Sequence, residues 1–420
     1  MAAAAETILI ADSYALNLGD VAILMSTVSA FARERPDVGI VIESSHPEFL
    51  SRFKEFSGYR VVPRIFDIQR YDRSSSWNWL SVIARGSYDS ATFLLWAALR
   101  RCGLAADILV RPSRREQARL LGSVAAIVSV GGGFLSSNYN YQFRLYIYLL
   151  GMLLGKKVIV FAQSIGPFDS AASRFLIPRF LKRCALVAVR EPNSCDYLRR
   201  FGLSARCVRT ADTAFLLAAR SAAWVDDLFS AGRSVAITLK VYADPVRQRT
   251  LLDALVETAL FLRQKGYGII LVSHVPNTDA MAAELSRLVG AGVRTVPFGA
   301  DPRELKELYS RCEFVVSCLM HAAVFAGDRH VPFAVISYEP KFLGLLRLLD
   351  YDDRLMLDSG LLDRPDFRDT LLAAVSYLEQ NRREVADGLA ARMPRVRQLA
   401  AAGLDSLWLA IGAGPVSPGG

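Results

Sequence analysis

Short apolar runs alternate with longer amphipathic segments along most of this chain. ILIA, GIVIE, AAIVSV, KVIVFA, ALVAV, SVAITL, YGIILV, VRTVPF, CEFVVS and VPFAVIS are compact and bounded by polar residues, as strands buried on both faces are. Between them, DVAILMSTVSAFAR, LLDALVETALFLRQKG and DPRELKELYSRC carry helical spacing, the second stopping at Gly266. Strand–helix alternation of this kind predicts parallel sheets with helices on both faces. The pattern pauses at residues 217–233 and then restarts. The expectation is therefore an α/β protein of two Rossmann-like, doubly wound domains, 1–220 and 221–390, facing each other across a cleft. A helical insertion at about 65–120 holds Trp77, Trp79 and Trp96; it reads as an acceptor-binding or membrane-facing lid, or equally as an ordinary helical hairpin. Residues 391–420 form a helical tail, suited to packing back onto the first domain, whose closing GAGPVSPGG reads as disordered.

In open α/β sheets ligands bind outside the carboxyl ends of strands, so polar residues just past each strand are the candidates. The first strand leads into Asn17, Gly19 and Asp20. This turn is not GxGxxG, so dinucleotide binding does not follow, and Asn17 or Asp20 can equally cap the next helix. The strand AAIVSV stops at Gly131, Gly132 and Gly133, which allow close backbone approach to an anion, with the amides of a following helix expected to add to the attraction. Gln163 and Ser164 follow the next strand, Arg190 the one after, Asp212 a further short one, and His274 ends YGIILVSH. An arginine there can hold a carboxylate or phosphate through two parallel bonds; its plain alternative is a pair with the adjacent Glu191. The richest stretch is 308–343, where His321 follows one strand and Tyr338, Glu339 and Lys341 follow the next. A structural imidazole and a solvated ammonium are the plain alternatives.

Bulk properties narrow the ligand. At 420 residues, 52% hydrophobic and 22% charged, the chain exceeds one core and is not disordered. Mean hydropathy is +0.25, yet no run reaches the roughly 18 apolar residues of a spanning helix. ATFLLWAALRR and LYIYLLGMLLGKK are short and end in basic pairs, so they read as buried helices, with peripheral contact at a membrane surface left open. The start lacks a basic leader segment, and the six cysteines form no CxxC pair. A cytoplasmic protein with reduced core thiols and no metal site is expected, either free or peripheral to the inner face of the membrane. Net charge of +9 favours acidic partners. Basic residues are scattered without interleaved aromatics, which argues against nucleic acid and for a small phosphorylated anion.

NLGDVAI, VSVGGGFL, FAQSIGPF, VAVREPNSCDYLRRFG, TADTAFLL, the strand ending in Ser273–His274 and CLMHAAVFAGDRHVPFAVISYEPK occur in that order. This series resembles the polysaccharide pyruvyl transferases. The resemblance implies a glycosyltransferase-B-like arrangement and transfer of a pyruvyl group from phosphoenolpyruvate to two hydroxyls of a sugar or lipid-linked glycan acceptor, as a ketal, without a cofactor. It matches the family glycines to Gly131–Gly133, the arginine to Arg190, the histidine to His321 and the closing pair to Tyr338 and Lys341. His321 is then a general acid or a phosphate-binding imidazolium, with Asp20 or Asp212 as base. Asn17, Gly19, Gln163, Ser164 and His274 complete the expected substrate contacts. The family's usual arginine two residues before the histidine is Leu319 here; Lys341, Lys240 and Arg329 are the basic residues that can compensate. Two other readings stay open: a nucleotide-sugar glycosyltransferase, with Glu339 on the ribose, and a catalytically silent glycan-binding relative.

Overall fold

The computed structural model describes residues 6–65, 76–139, 141–203, 207–230 and 232–412, without the side chains of residues 12, 76–87 and 143. Two fully parallel sheets form the molecule. The first holds β1 (Thr7–Ser13), β2 (Gly39–Ser44), β3 (Arg60–Pro63), β4 (Ala126–Leu135), β5 (Lys157–Ile165), β6 (Leu186–Val189) and β7 (Cys207–Arg209), in the order β3-β2-β1-β4-β5-β6-β7. The second holds β8 (Ser234–Thr238), β9 (Gly268–Val272), β10 (Val293–Val296), β11 (Val315–Ser317), β12 (Phe333–Ser337) and β13 (Met356–Asp358), in the order β10-β9-β8-β11-β12-β13. Strand order reverses at β1/β4 in one sheet and at β8/β11 in the other. This is the doubly wound pair anticipated from the alternating pattern.

Two central helices explain why the domains stay together. Leu18–Glu34 and Met320–Asp328 are apolar around nearly their whole circumference, and all nine residues of the latter are buried. A helix without a polar face needs cover on every side. Each packs on its own sheet and contributes to one hydrophobic cluster spanning both domains, from Ile8 and Phe31 to Phe325 and Phe333. The connection between domains is pinned by Lys306, 1% exposed, whose Nζ donates to the carbonyls of Ala214 (2.9 Å) and Leu217 (2.5 Å) and pairs with Asp328 (2.9 Å).

One continuous helix, Phe367–Ile411, closes the chain and crosses back to the first domain. Trp408 packs edge-on against Phe31 with centroids 4.4 Å apart and donates through Nε1 to Glu34 at 2.8 Å. Lys157 Nζ caps the Ile411 carbonyl at 2.9 Å. The insertion contains the helix Ser76–Arg101, where Trp96 is 1% exposed and donates to Asp107 at 2.9 Å. Trp96 is thus a core residue; the side chains of Trp77 and Trp79, and the closing residues read as disordered from 413 on, lie outside the described residues. No described helix is long and apolar enough to cross a membrane.

Trp408→Ala should lower the unfolding free energy by about 3–5 kcal/mol, the usual cost of emptying a large aromatic site. The reading is the urea midpoint at unchanged slope; a wild-type midpoint would mean that the helix docks without this contact.

Candidate functional site

The two strand-order reversals face each other. Past β1, Asn17 caps the helix Leu18–Glu34 by accepting the Gly19 N–H at 3.0 Å, the capping role open to it from sequence. Gly19 is required for space. A Cβ there would stand 2.0 Å from His321 Nδ1 and 2.1 Å from its Cγ, so the imidazole from the second domain occupies the volume a side chain would take. The Leu18 N–H donates across the same seam to the His274 carbonyl at 3.0 Å.

His321 starts the helix after β11, and its Nε2 lies 3.4 Å from Asp212 Oδ2, a charge contact long for a hydrogen bond. Asp212 also accepts Arg190 Nη1 at 2.6 Å and the Ala214 N–H at 2.9 Å. Burial favours its proton, but Arg190, His321 and the Ala214 N–H outweigh burial and hold the carboxyl well below the usual range. Asp20 shows the opposite balance. Burial raises its pKa, and the opposing pull of His321, Lys341 and Arg190 does not fully cancel the rise. Asp20 therefore takes up a proton more readily than an ordinary carboxyl, as does the buried Glu191, while Asp212 stays ionised.

The glycine run differs from expectation. β4 continues through Leu135 and the next helix begins only at Gln142, so no helix N-terminus adds amides to the glycines. Gly131 and Gly132 adopt φ of 40° and 118°, backbone that favours glycine. Gly133 instead leaves room for two cations from opposite domains: a Cβ there would lie 3.3 Å from Lys341 Nζ and 3.9 Å from Arg190 Nη2. Gln163 buttresses this segment from beneath, fully buried, donating to Ser129 Oγ (2.7 Å) and the Gly131 carbonyl (3.3 Å). Ser164 accepts Arg190 Nε at 2.9 Å and donates to Glu191 at 3.0 Å, fixing the guanidinium.

Lys341 pairs with Glu339 at 2.8 Å and donates to Tyr139 Oη at 3.3 Å, while Tyr139 donates to Glu339 at 2.9 Å. Burial alone would lower the pKa of Lys341, but Tyr338, Tyr139 and Glu339 carry it well above the ordinary value. Tyr338 lies beneath Lys240, whose Nζ is 3.7 Å from the ring centroid. Burial pushes Lys240 down, with Glu339 partly offsetting this, and among the described residues no carboxylate pairs with it. His274 is 1% exposed, with Nε2 2.7 Å from Tyr309 Oη; burial, then the nearby His321, brings its pKa down to about 3. It is a neutral support behind His321, and Gln163 and Ser164 are likewise supports. Gly133, Arg190, His321, Asp20, Asp212, Tyr338 and Lys341 are brought together. Sequence reasoning did not single out Tyr139, and it named Glu191 only as a partner for Arg190. Tyr139 sits in SSNYNYQ, a stretch without apolar periodicity, and only tertiary contact with Glu339 marks it.

A family model described as polysaccharide pyruvyl transferase matches residues 17–340. The amylovoran biosynthesis protein AmsJ of Erwinia amylovora is 23% identical over 409 residues, covering 91% of this chain and 94% of AmsJ. Among solved structures, a putative UDP-N-acetylglucosamine 2-epimerase from Listeria monocytogenes superposes with a TM-score of 0.63 at 12% identity, covering 97% of this chain and 96% of that one. The S. aureus MnaA–UDP structure gives 0.61 at 10% identity, covering 99% and 100%. A glycosyltransferase from Rickettsia africae gives 0.52 at 9% identity, covering 97% and 99%. At these identities the structural likenesses establish the fold.

Two outcomes follow for the site. Gly19→Ala should destabilise the protein although alanine is the better helix former, and adding His321→Ala should restore most of the loss. Thermal unfolding of the two single variants and the double would show it; additive effects would mean that position 19 and His321 do not share that space. For Asp20 the sign runs thus: a raised folded pKa means the native state holds the proton more tightly than the unfolded chain, so ionising it costs stability as pH rises past about 3.9. Asp20→Asn should then melt higher than wild type at pH 7, with the advantage gone at about pH 3.5. A lower melting temperature at pH 7 would contradict the raised pKa.

Proposed function

The chain belongs to the polysaccharide pyruvyl transferase family, and we propose that it transfers the pyruvyl group of phosphoenolpyruvate to two hydroxyls of one sugar in a polysaccharide or its lipid-linked precursor. The observation that carries this reading is the convergence of Arg190 Nη2 and Lys341 Nζ, from opposite domains, on side-chain-free Gly133 beside His321. Phosphoenolpyruvate carries a phosphate and a carboxylate on one carbon, so two separated cations in a protected cleft suit it.

The reaction balances as follows. The methylene carbon gains a proton and becomes a methyl group. The adjacent carbon forms bonds to two sugar oxygens and loses its bond to the phosphate oxygen. Of the two hydroxyl protons released, one replaces the proton given to the methylene and the other leaves on phosphate. His321 is the general acid for the methylene carbon, kept oriented by the Asp212 carboxylate at 3.4 Å. Asp212, pinned to Arg190, is too weak a base for a sugar hydroxyl. Asp20 takes that role, since a carboxyl with a raised pKa accepts a proton more readily. Arg190 and Lys341 bind the anionic ends, and no cofactor enters the balance.

A nucleotide-sugar donor needs a carboxylate for ribose hydroxyls, and Glu339 already gives one oxygen to Tyr139 and the other to Lys341. The test is phosphate release from phosphoenolpyruvate with a panel of sugar acceptors. His321→Ala and Asp20→Asn should each cut acceptor-dependent release at least a hundredfold, and Lys341→Ala should raise the donor KM. Full turnover in folded His321→Ala would remove His321 as acid. Absence of donor binding in wild type would end the pyruvyl-transfer reading.

A further inference from the structure

We infer that the first domain carries a separate anion subsite at Arg64, which takes the carboxylate or phosphate of a negatively charged acceptor sugar. Arg64 follows β3, and its backbone N–H donates to the Ser44 carbonyl at 3.1 Å. Its guanidinium Nε and Nη2 are both buried, and neither has a hydrogen-bond partner among the described residues. Buried donors on a charged group are costly when unpaired, and a ligand that satisfies both offsets that cost.

Nε and Nη2 form one edge of the fork, the edge that receives two oxygens side by side. The same edge is used elsewhere in this chain. Arg35 donates Nε and Nη2 to the two oxygens of Asp37 at 2.9 and 2.5 Å, and Arg364 does the same to Asp366 at 3.0 and 2.7 Å. At Arg64 that edge meets no acceptor among the described residues.

Its neighbours connect it to the cleft. Tyr14 follows β1, and the charges of both Asp20 and Arg64 act on its phenol. The His46 ring, after β2, meets Tyr14 edge-on at 6.4 Å and is held through Nδ1 by Ser45 Oγ at 2.9 Å. Arg64, Tyr14 and His46 thus follow three adjacent strands on the ligand-binding edge of the sheet. A sugar hydroxyl near Asp20 leaves the rest of that sugar, or the next one, beside Tyr14 and Arg64. Assigning this anion to the acceptor rests on the pyruvyl-transfer reading, in which Arg190 and Lys341 take the donor.

The test is a ligand-observed NMR titration of the full chain with glucuronate, glucose 1-phosphate and glucose, alongside a separate phosphoenolpyruvate titration. At least one charged sugar should bind about tenfold or more tightly than glucose, and the tighter of the two identifies carboxylate or phosphate as the preferred group. Arg64→Gln should bring the charged sugars to the level of glucose and leave phosphoenolpyruvate affinity unchanged. Arg64→Lys, which keeps charge but not the fork, should retain part of the preference. A wild type without preference for charged sugars overturns the subsite, as does Arg64→Gln with the preference intact. Equal weakening of phosphoenolpyruvate and charged sugars in Arg64→Gln also overturns it, by moving Arg64 to the donor. Failure of phosphoenolpyruvate to bind wild type, with the sugar preference present and lost in Arg64→Gln, defeats pyruvyl transfer and leaves the subsite standing.

Discussion

His321 occupies the volume that any residue larger than glycine would fill at position 19, with Nδ1 2.0 Å from where a Cβ would sit. Packed interiors do not absorb an overlap of that size without moving backbone or side chain. The contact therefore sets how closely the two strand-order reversals approach, and the other cross-domain contacts share its register. Leu18 reaches the His274 carbonyl, Gly133 admits Lys341 and Arg190, and Gly344 leaves room for Glu191, whose Cγ would lie 2.3 Å from a Cβ there. Three glycines on facing surfaces, each opposed to a polar side chain from the other domain, let charged groups meet across the cleft.

Bringing those charges together is expensive. Arg190 and Asp212 have side chains 3% and 4% exposed, and taking two ions out of water costs several kcal/mol each before their attraction offsets it. Apolar residues of the same volume would serve stability as well or better, so the pair is poorly explained as a stabilising device. Its consequence is electrostatic. Asp212 is kept ionised and held beside His321, where it orients the ring. Glu339 performs the matching service for Lys341. Both cations of the cleft, Arg190 and Lys341, are thereby fixed in place by carboxylates.

Much of this was legible in the sequence because buried parallel strands are apolar throughout, and their ends are where polar residues stand out. Arg190, His321 and Lys341 were visible for that reason. The supporting roles of Gln163, Ser164 and His274 were not, because a polar residue after a strand looks the same whether it faces the cleft or braces the loop beneath it. Tyr139 was hidden in a loop with no periodicity, and its partners are two hundred residues away in sequence. The glycine run misled in one respect. Glycines after an apolar strand suggest a turn into a helix, whereas β4 continues through them, with its register shifting against β5 between Gly132 and Leu135. Whether glycine is kept for a turn or for a neighbour's side chain is a tertiary fact.

The apolar residue at 319 shows the same distinction in the electrostatics. Leu319 caps the helix of His321 in extended backbone, its N–H donating to Ser317 Oγ at 3.0 Å, and contributes no charge. Of the basic residues available to compensate, Arg329 lies at the far end of Met320–Asp328, nine residues or about 13 Å of helix away, and is exposed. Lys341 is already committed to Glu339 and Tyr139. Lys240 remains, past the end of β8 and close enough to Cys318 for its charge to act on that thiol. Its ammonium rests on the Tyr338 ring, and burial has lowered its hold on its proton. An arginine in this position would keep its charge whatever its surroundings. A lysine with no carboxylate partner among the described residues instead has a proton affinity set by its surroundings.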